Sequence, residues 1–278
     1  MYHGVDLGDV NAVWQKAIHK ADDLFNLRNN DHNEKHFWAQ RMAALNGYHP
    51  DGYSHPIAET ICELVRRVQA DTLLEIGPGW GNYTIPLAKE CLNISCVDIS
   101  PDVLEYIQRT MKELGMKPVE TICSKWEDCQ LNQQYDVIVG YNCFYRMEDL
   151  KASLKKVNDF AKKLCVVGML SGPDQPYLLD FEKELSLKVN WKRFDYIYFL
   201  NALYSLGIDA NCKIIPTARE YAFDTLDDLL RAETFRIEDK IYSKEAVTEI
   251  LMRYYTYRDG KYRFVHPFHA AVIYWEKE

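Results

Sequence analysis

The stretch that most constrains the fold of this 278-residue chain is Leu73–Tyr83, which reads LLEIGPGWGNY. It begins as an apolar run typical of a buried strand and passes at once into a turn with three glycines. Glycine permits positive φ and lets a ligand approach the main chain without a Cβ in the way. Free N–H groups at the start of the predicted next helix favour an anionic ligand group. The stretch therefore predicts a strand–turn–helix unit that binds a ligand.

Short apolar strands alternate with helices from Asp71 onward. The predicted strands are Leu73–Ile76, Ile94–Asp98, Pro118–Cys123, Tyr135–Gly140 and Leu164–Leu170, and the helices between them are Tyr83–Glu90, Pro101–Leu114 and Met147–Ala161. Near-continuous apolar strands joined by helices indicate a parallel sheet that is covered on both faces. The predicted fold class is therefore α/β, a doubly wound and mostly parallel sheet.

Helical segments flank this core on both sides. Residues 1–70 are predicted as an N-terminal helical cap, with one helix from Asp9 to about Leu27, one from near Asn33, and one that Ser54 caps. Residues 71–170 form the core. Residues 171–278 complete the sheet near Lys213–Phe223 and His269–Trp275, and carry additions around Leu178–Leu206, Leu226–Ala232 and Lys244–Tyr255. Because these additions far exceed a normal connection, we expect them to wall a pocket for a small acceptor molecule.

The spacing of the glycines separates two classes of ligand. A dinucleotide fingerprint that starts at Gly77 requires a glycine at position 82, which is Asn82. The run instead resembles the E-x-G-x-G-x-G signature of class I S-adenosylmethionine-dependent methyltransferases, through Glu75, Gly77, Gly79 and Gly81. The resemblance covers about Asp71 to Leu170. It implies a Rossmann-like fold, S-adenosyl-L-methionine as cofactor, and these four residues in its site.

The second strand adds a carboxylate to this pattern. Asp98 follows Gly77 by 21 positions and ends the strand, where it can accept two hydrogen bonds from a ribose diol. The resemblance implies that Asp98 binds the cofactor ribose and that Ile99 packs on adenine. The alternative is that Asp98 or Ser100 caps the following helix.

The ends of the third and fourth strands supply the remaining candidates. The resemblance implies adenine contacts after the third strand, where we assign Lys125 and Trp126, although the usual Gly-Asp pair is replaced there. Trp126 as a packing anchor is the alternative. Tyr141 follows the fourth strand, and the resemblance implies that the loop there lies beside the reactive methyl group, so Tyr141 is assigned to the cofactor site. An Asn-Pro-Pro-Tyr motif is missing at this point, so nucleic-acid amino groups lose support as acceptors.

Composition excludes several other functions. The net charge of −8 offers no general attraction to phosphate backbones, so we expect no nucleic-acid partner. No apolar run of 18 residues predicts a membrane helix, and the N-terminus lacks the pattern of a signal peptide. Eight cysteines without a Cys-x-x-Cys pair favour a reducing cytoplasm. His32 and His36 lack an HExxH context, and we predict no metal site.

The sequence therefore predicts a methyltransferase that acts on a small-molecule acceptor by in-line transfer, driven mainly by positioning. No residue stands in a nucleophile motif, and His55, Tyr141 and Tyr145 are conceivable bases. Two alternatives remain open. One is a module that keeps the fold as a cofactor sensor or partner-binding domain without turnover, and the other is a different nucleotide-binding enzyme such as a dehydrogenase.

Overall fold

In the computed structural model, residues 8–20, 30–91, 93–191 and 195–277 are described, and the chain divides into two units. The first unit comprises Met1–Leu170, Phe194–Ile215 and Ala270–Glu278. The second comprises Ser171–Arg193 and Pro216–His269. No helix of the described residues is long and apolar enough to cross a membrane.

The strands and helices are numbered here in chain order. The strands are β1 (Thr72–Ile76), β2 (Asn93–Asp98), β3 (Glu120–Cys123), β4 (Tyr135–Tyr141), β5 (Ala161–Ser171), β6 (Asn211–Phe223), β7 (Thr256–Arg258) and β8 (Lys261–Glu276). The helices are α1 (Val10–Lys20), α2 (Asp31–Ala43), α3 (His55–Arg67), α4 (Thr84–Leu87), α5 (Pro101–Glu113), α6 (Leu150–Phe160), α7 (Pro176–Leu185), α8 (Ile197–Ser205), α9 (Leu226–Glu233) and α10 (Lys244–Leu251).

The sheet confirms the predicted fold class. Its order is β3-β2-β1-β4-β5-β8-β6, and β7 pairs antiparallel with β8. Strand β1 runs parallel to both β2 and β4, and the pairs β2–β3 and β4–β5 are also parallel. The order along the sheet reverses between β1 and β4, and the carboxyl ends of parallel strands form a crevice at such a point.

The strands of the first unit could be identified in the sequence because they are buried in its core. Every residue of β4 is buried, because strands flank it on both sides and helices cover its faces. Trp14 of α1 is fully buried, and its indole N–H donates to the Met147 carbonyl at 2.7 Å. Its ring packs edge-on against Phe199 of α8, with centroids 5.8 Å apart. Helix α8 is thus part of the core of the first unit.

Several predicted boundaries were wrong for local reasons. The cap helix expected near Asn33 begins at Asp31, because the Asn30 side chain accepts hydrogen bonds from the backbone N–H groups of His32 and Asn33. The third strand begins two residues later than predicted, at Glu120. The helix after the glycine turn is limited to α4. Ser54 precedes α3 as predicted, but its hydroxyl donates to the Asp51 carbonyl and does not cap the helix.

The C-terminal predictions needed larger corrections. The single helical stretch expected around Leu178–Leu206 is two helices, since Ser186 ends α7 in a left-handed conformation with φ 54°. The strand expected at His269 begins at Lys261, so His266 lies inside β8, where its Nε2 is 3.0 Å from the Pro173 carbonyl oxygen. The predicted end of the first helix, near Leu27, lies outside the described residues.

Candidate functional site

The glycine turn adopts the backbone that its sequence requires. Gly77, Gly79 and Gly81 all have positive φ, at 63°, 55° and 84°. A Cβ at Gly77 would lie 2.6 Å from the Cβ of Cys143, whereas a Cβ at Gly79 would lie 3.6 Å from the Trp38 ring. Close packing therefore requires the first glycine. The second leaves the main chain approachable.

Glu75 lies on β1, directly before this turn, and its carboxyl group is buried. Within the described part of the chain its Oε2 has no hydrogen-bond partner. Burial raises the pKa of Glu75 to about 7, the negative charge of Asp98 adds to the rise, and the nearby Thr84 hydroxyl opposes it. A buried carboxylate oxygen without a partner is costly, and a cationic donor would satisfy it. The ammonium group of S-adenosylmethionine fits this requirement.

Asp98 lies on the neighbouring strand, at the end of β2. Its Oδ1 accepts the backbone N–H of Ser100 at 2.8 Å, and Ser100 in turn caps α5 through its hydroxyl. Burial raises the pKa of Asp98 to about 7, and the charge of Glu34 contributes to that rise. Ser100 is therefore the helix cap, and Asp98 shapes the turn that leads into it. Ile99 is half-buried beside it, and binding of ribose and adenine by this pair stays a prediction.

The two residues assigned to adenine have different surroundings. Lys125 forms an ion pair with Asp31, with Nζ and Oδ2 2.7 Å apart. Trp126 is buried, its indole N–H donates to the Ser153 carbonyl at 3.1 Å, and the Lys156 ammonium lies 4.6 Å from its ring centroid. These contacts of Trp126 are those of the packing anchor that the sequence left as an alternative.

Tyr141 ends β4 with a buried, unpartnered hydroxyl. Its side chain is 4% exposed, and none of the described residues offers the hydroxyl oxygen a hydrogen-bond partner. The ring packs against Tyr83, with centroids 5.0 Å apart. Gly168 makes room for it on β5, since a Cβ there would lie 2.6 Å from the Tyr141 ring. Burial raises the pKa of Tyr141 well above its usual range, so this hydroxyl is neutral and is not a base near pH 7.

One side of α2 carries a polar stripe that the sequence pattern did not predict. It is formed by Asp31, Glu34, Trp38 and Arg41. Their spacing of three, four and three residues places them on one face of the helix. Trp38 lies against Gly79 and 5.8 Å from the Trp80 ring, and the Arg41 guanidinium is 4.9 Å from the Trp80 centroid. The stripe therefore covers the glycine turn.

Ionic and hydrogen-bonding contacts hold this stripe to the sheet. Asp31 pairs with Arg146 at 2.9 Å as well as with Lys125. The Glu34 Oε1 accepts from the Trp38 indole N–H at 2.9 Å and from the Tyr145 hydroxyl at 3.3 Å. The helix is thus tied to the segments that follow β3 and β4.

Asn82, which excluded the dinucleotide fingerprint, has a defined contact of its own. Its side-chain carbonyl accepts from the Asp51 backbone N–H at 2.9 Å, and its amide donates to the Asp51 carboxylate at 2.9 Å. The Tyr53 hydroxyl donates to the same carboxylate at 3.0 Å. The residue at position 82 therefore joins the turn to the segment before α3.

Comparison with known proteins agrees with this geometry. Residues 73–163 match the family model described as a methyltransferase domain. The chain is a class I S-adenosylmethionine-dependent methyltransferase. The match covers β1 to the start of β5, which lies within the region that carries the sequence resemblance. S-adenosyl-L-methionine is confirmed as the cofactor. It favours the methyltransferase over the dehydrogenase alternative.

Three known proteins are similar to this methyltransferase in sequence or in fold. It is 27% identical to an uncharacterized protein of Haemophilus influenzae over 194 residues, 68% of each chain. It is 30% identical over 87 residues to a malonyl-[acyl-carrier protein] O-methyltransferase of Acetivibrio thermocellus, 31% of this chain and 30% of that protein. A crystal structure of a putative methyltransferase from Bacillus halodurans has 13% identity and a TM-score of 0.52, and the alignment covers 78% of this chain and 99% of that one. This last likeness concerns the fold.

The second unit of the methyltransferase uses its aromatic residues for packing. Tyr255 donates to the buried Glu233 carboxylate at 2.8 Å, and Tyr177 donates to its other oxygen. Tyr254 bonds to Asp180, and the Trp191 indole N–H donates to Glu182 at 2.7 Å. These are contacts of a hydrophobic core with a polar centre. A role for residues 171–278 in binding the acceptor stays a prediction.

Proposed function

We propose that this methyltransferase methylates a small-molecule acceptor that carries no negative charge near its reacting atom. The observation that carries the proposal is the buried carboxylate pair Glu75 and Asp98 at the glycine turn, one of them with an unpartnered oxygen. When ionised, these carboxylates favour cationic and neutral ligands and oppose anionic ones.

The residues of the turn would hold the cofactor as follows. Glu75 would accept from its ammonium group, Asp98 from its ribose diol, and the main chain at Gly79 would lie against it. Ile99 and Lys125 would border the adenine. The bound cofactor supplies an electrophilic sulfonium methyl group, so the protein has mainly to orient the acceptor and exclude water.

Tyr141 supports the proposed position of the acceptor. Its neutral hydroxyl has no hydrogen-bond partner among the residues that the structure describes, and buried hydroxyls are nearly always hydrogen-bonded. An acceptor with a hydrogen-bonding group next to the methylated atom would supply that partner. The Tyr83 ring, which packs against Tyr141, offers an apolar surface beside it.

The remaining features of the proposal concern partners and location. The carboxylates at the turn and the net charge of −8 oppose a polyanionic substrate such as nucleic acid. All eight cysteines are free thiols, which suits a cytoplasmic location.

The proposal is tested by binding and by turnover. Calorimetry should detect S-adenosylhomocysteine and not NAD. A screen of amines, alcohols and thiols for release of S-adenosylhomocysteine should give turnover, and Tyr141→Phe should lower kcat/KM for the acceptor while the exposed-residue control Glu59→Gln does not. Cofactor binding without turnover on any class would favour the sensor alternative. Turnover confined to carboxylates, phosphates or nucleic acids would contradict the acceptor class.

A further inference from the structure

The inference concerns Arg41, the last residue of the stripe on α2. Its guanidinium lies 4.9 Å from the centroid of the Trp80 ring, and Trp80 stands between the second and third glycines of the turn. The face of an indole ring attracts a cation, and the planar guanidinium of arginine is well suited to such a contact. The contact therefore places a cation beside the glycine turn.

The residue one turn earlier on α2 supports this placement. Trp38 stands three positions before Arg41, so the two side chains lie on the same face of the helix. The Trp38 ring would lie 3.6 Å from a Cβ at Gly79, and its centroid lies 5.8 Å from that of Trp80. The face of α2 that carries Arg41 is thus the one that contacts the turn.

The guanidinium of Arg41 is available to an anionic ligand. It is exposed, and it forms no ion pair or side-chain hydrogen bond with any residue that the structure describes. No carboxylate stands three or four positions from it in the sequence, where a neighbour on the same helix face would lie. Lys125 and Arg146, which also contact α2, are both paired with Asp31.

The cofactor carries an anionic group that the contacts described so far leave without a partner. Its methionine part ends in an ammonium and a carboxylate on the same carbon atom. Under the proposed function the ammonium lies at Glu75, and the ionised carboxylates of Glu75 and Asp98 repel a further anionic group there. A cation at the turn would offset this repulsion, and an arginine can donate two parallel N–H bonds to a carboxylate.

From these observations, and resting on the proposed function, we infer that Arg41 binds the α-carboxylate of the cofactor while the Trp80 ring holds its guanidinium beside the turn. Arg41 is thereby a cofactor-binding residue that the N-terminal cap supplies, whereas Glu75 and Asp98 belong to the sheet. The cap then recognises the amino-acid end of the cofactor. A ligand without the carboxylate gains nothing from Arg41.

The test removes each side of the proposed contact in turn. Calorimetry would give Kd for S-adenosylhomocysteine and for its decarboxylated analogue, in which hydrogen replaces the carboxylate, with the unaltered protein and with Arg41→Met. The substitution should weaken binding of S-adenosylhomocysteine about tenfold and should not weaken binding of the analogue. A selective loss reports the contact itself, because a general disturbance of the turn would weaken both ligands.

Two further variants separate the contact from its surroundings. Arg41→Lys keeps the charge without the planar fork and should retain part of the preference for S-adenosylhomocysteine over the analogue. Lys35→Met removes an exposed cation from the same helix and should leave both constants unchanged. Equal weakening of both ligands in Arg41→Met, or an unchanged constant for S-adenosylhomocysteine, would overturn the inference. Failure of the unaltered protein to bind S-adenosylhomocysteine would instead refute the proposed cofactor site.

Discussion

Replacing Glu75 with glutamine should affect stability and cofactor binding in opposite ways. The pKa of Glu75 is about 7 in the folded protein, against an ordinary value of 4.5. The folded protein therefore binds this proton more tightly than the unfolded chain does. As a result, the free energy of unfolding falls as the pH rises from about 4.5 to about 7. Between pH 5.5 and pH 8 this loss amounts to about 2 kcal/mol.

Glu75→Gln removes this titration while keeping the shape of the side chain. Without cofactor, the variant should lose less stability than the unaltered protein between pH 5.5 and pH 8, by about 2 kcal/mol or at least about 3 °C in Tm. The same change removes the proposed partner of the cofactor ammonium. Affinity for S-adenosylhomocysteine should therefore rise with pH more steeply in the unaltered protein than in the variant, by about tenfold or more over this range.

Urea denaturation and calorimetry at the two pH values provide the measurements. Glu59→Gln, which removes an exposed carboxylate, is the control and should follow the unaltered protein in both. The reasoning is refuted if the pH dependence of stability and of binding is the same in Glu75→Gln as in the unaltered protein, since Glu75 would then be neither costly when buried nor directed at the cofactor.

The remaining predictions concern other residues of the site. Asp98→Ala should weaken binding of S-adenosylhomocysteine about ten- to a hundredfold through lost hydrogen bonds to ribose, and unchanged calorimetry in a folded variant would remove Asp98 from the site. Gly79→Val should abolish binding with little loss of circular dichroism signal, because the side chain would restrict φ and fill cofactor space. Gly77→Ala should instead lower Tm, since its Cβ would collide with Cys143, and an unchanged melt would contradict this. Tyr141→Phe should leave the free energy of unfolding without ligand unchanged or raise it by about 1 kcal/mol, because an unpartnered hydroxyl is removed, and a clear loss on urea denaturation would reveal a structural bond instead.

The central sheet could be predicted because its strands are buried on both faces. In β4 and the inner part of β5 almost every residue is apolar, so the strands stand out without alternation. The parallel register also places the ends of β1 and β2 side by side, with Ile76 opposite Val97. For that reason a glycine turn after one strand and Asp98 at the end of the next could be assigned to a common crevice.

The helix near Asn33 was predicted, but its position over the glycine turn could not be predicted in the same way. Hydrophobic periodicity identifies the face of a helix that packs on a core, but the face of α2 that contacts the segments after β3 and β4 carries Asp31 and the buried Glu34. Such a stripe is usually solvated. Contacts with Lys125 and Arg146, which lie about a hundred positions further along the chain, hold this stripe near the glycine turn. A local sequence pattern cannot predict such a pairing. Trp126 shows the converse, since its place after the third strand suggested adenine while its indole N–H bond to the Ser153 carbonyl is a packing contact, and a role beside adenine stays a prediction.

The buried carboxylates connect the stability of the site with its function. Keeping Glu75 and Asp98 together away from water is unfavourable without a ligand, and the raised pKa values of both residues express that cost. Replacing Glu75 with an uncharged residue would relieve part of this cost in the free protein. Binding of a cation therefore stabilises this arrangement of carboxylates. The cofactor carries positive charges on its ammonium group and on its sulfur atom. On this reasoning the charges that destabilise the free site are the same ones that favour the cationic cofactor.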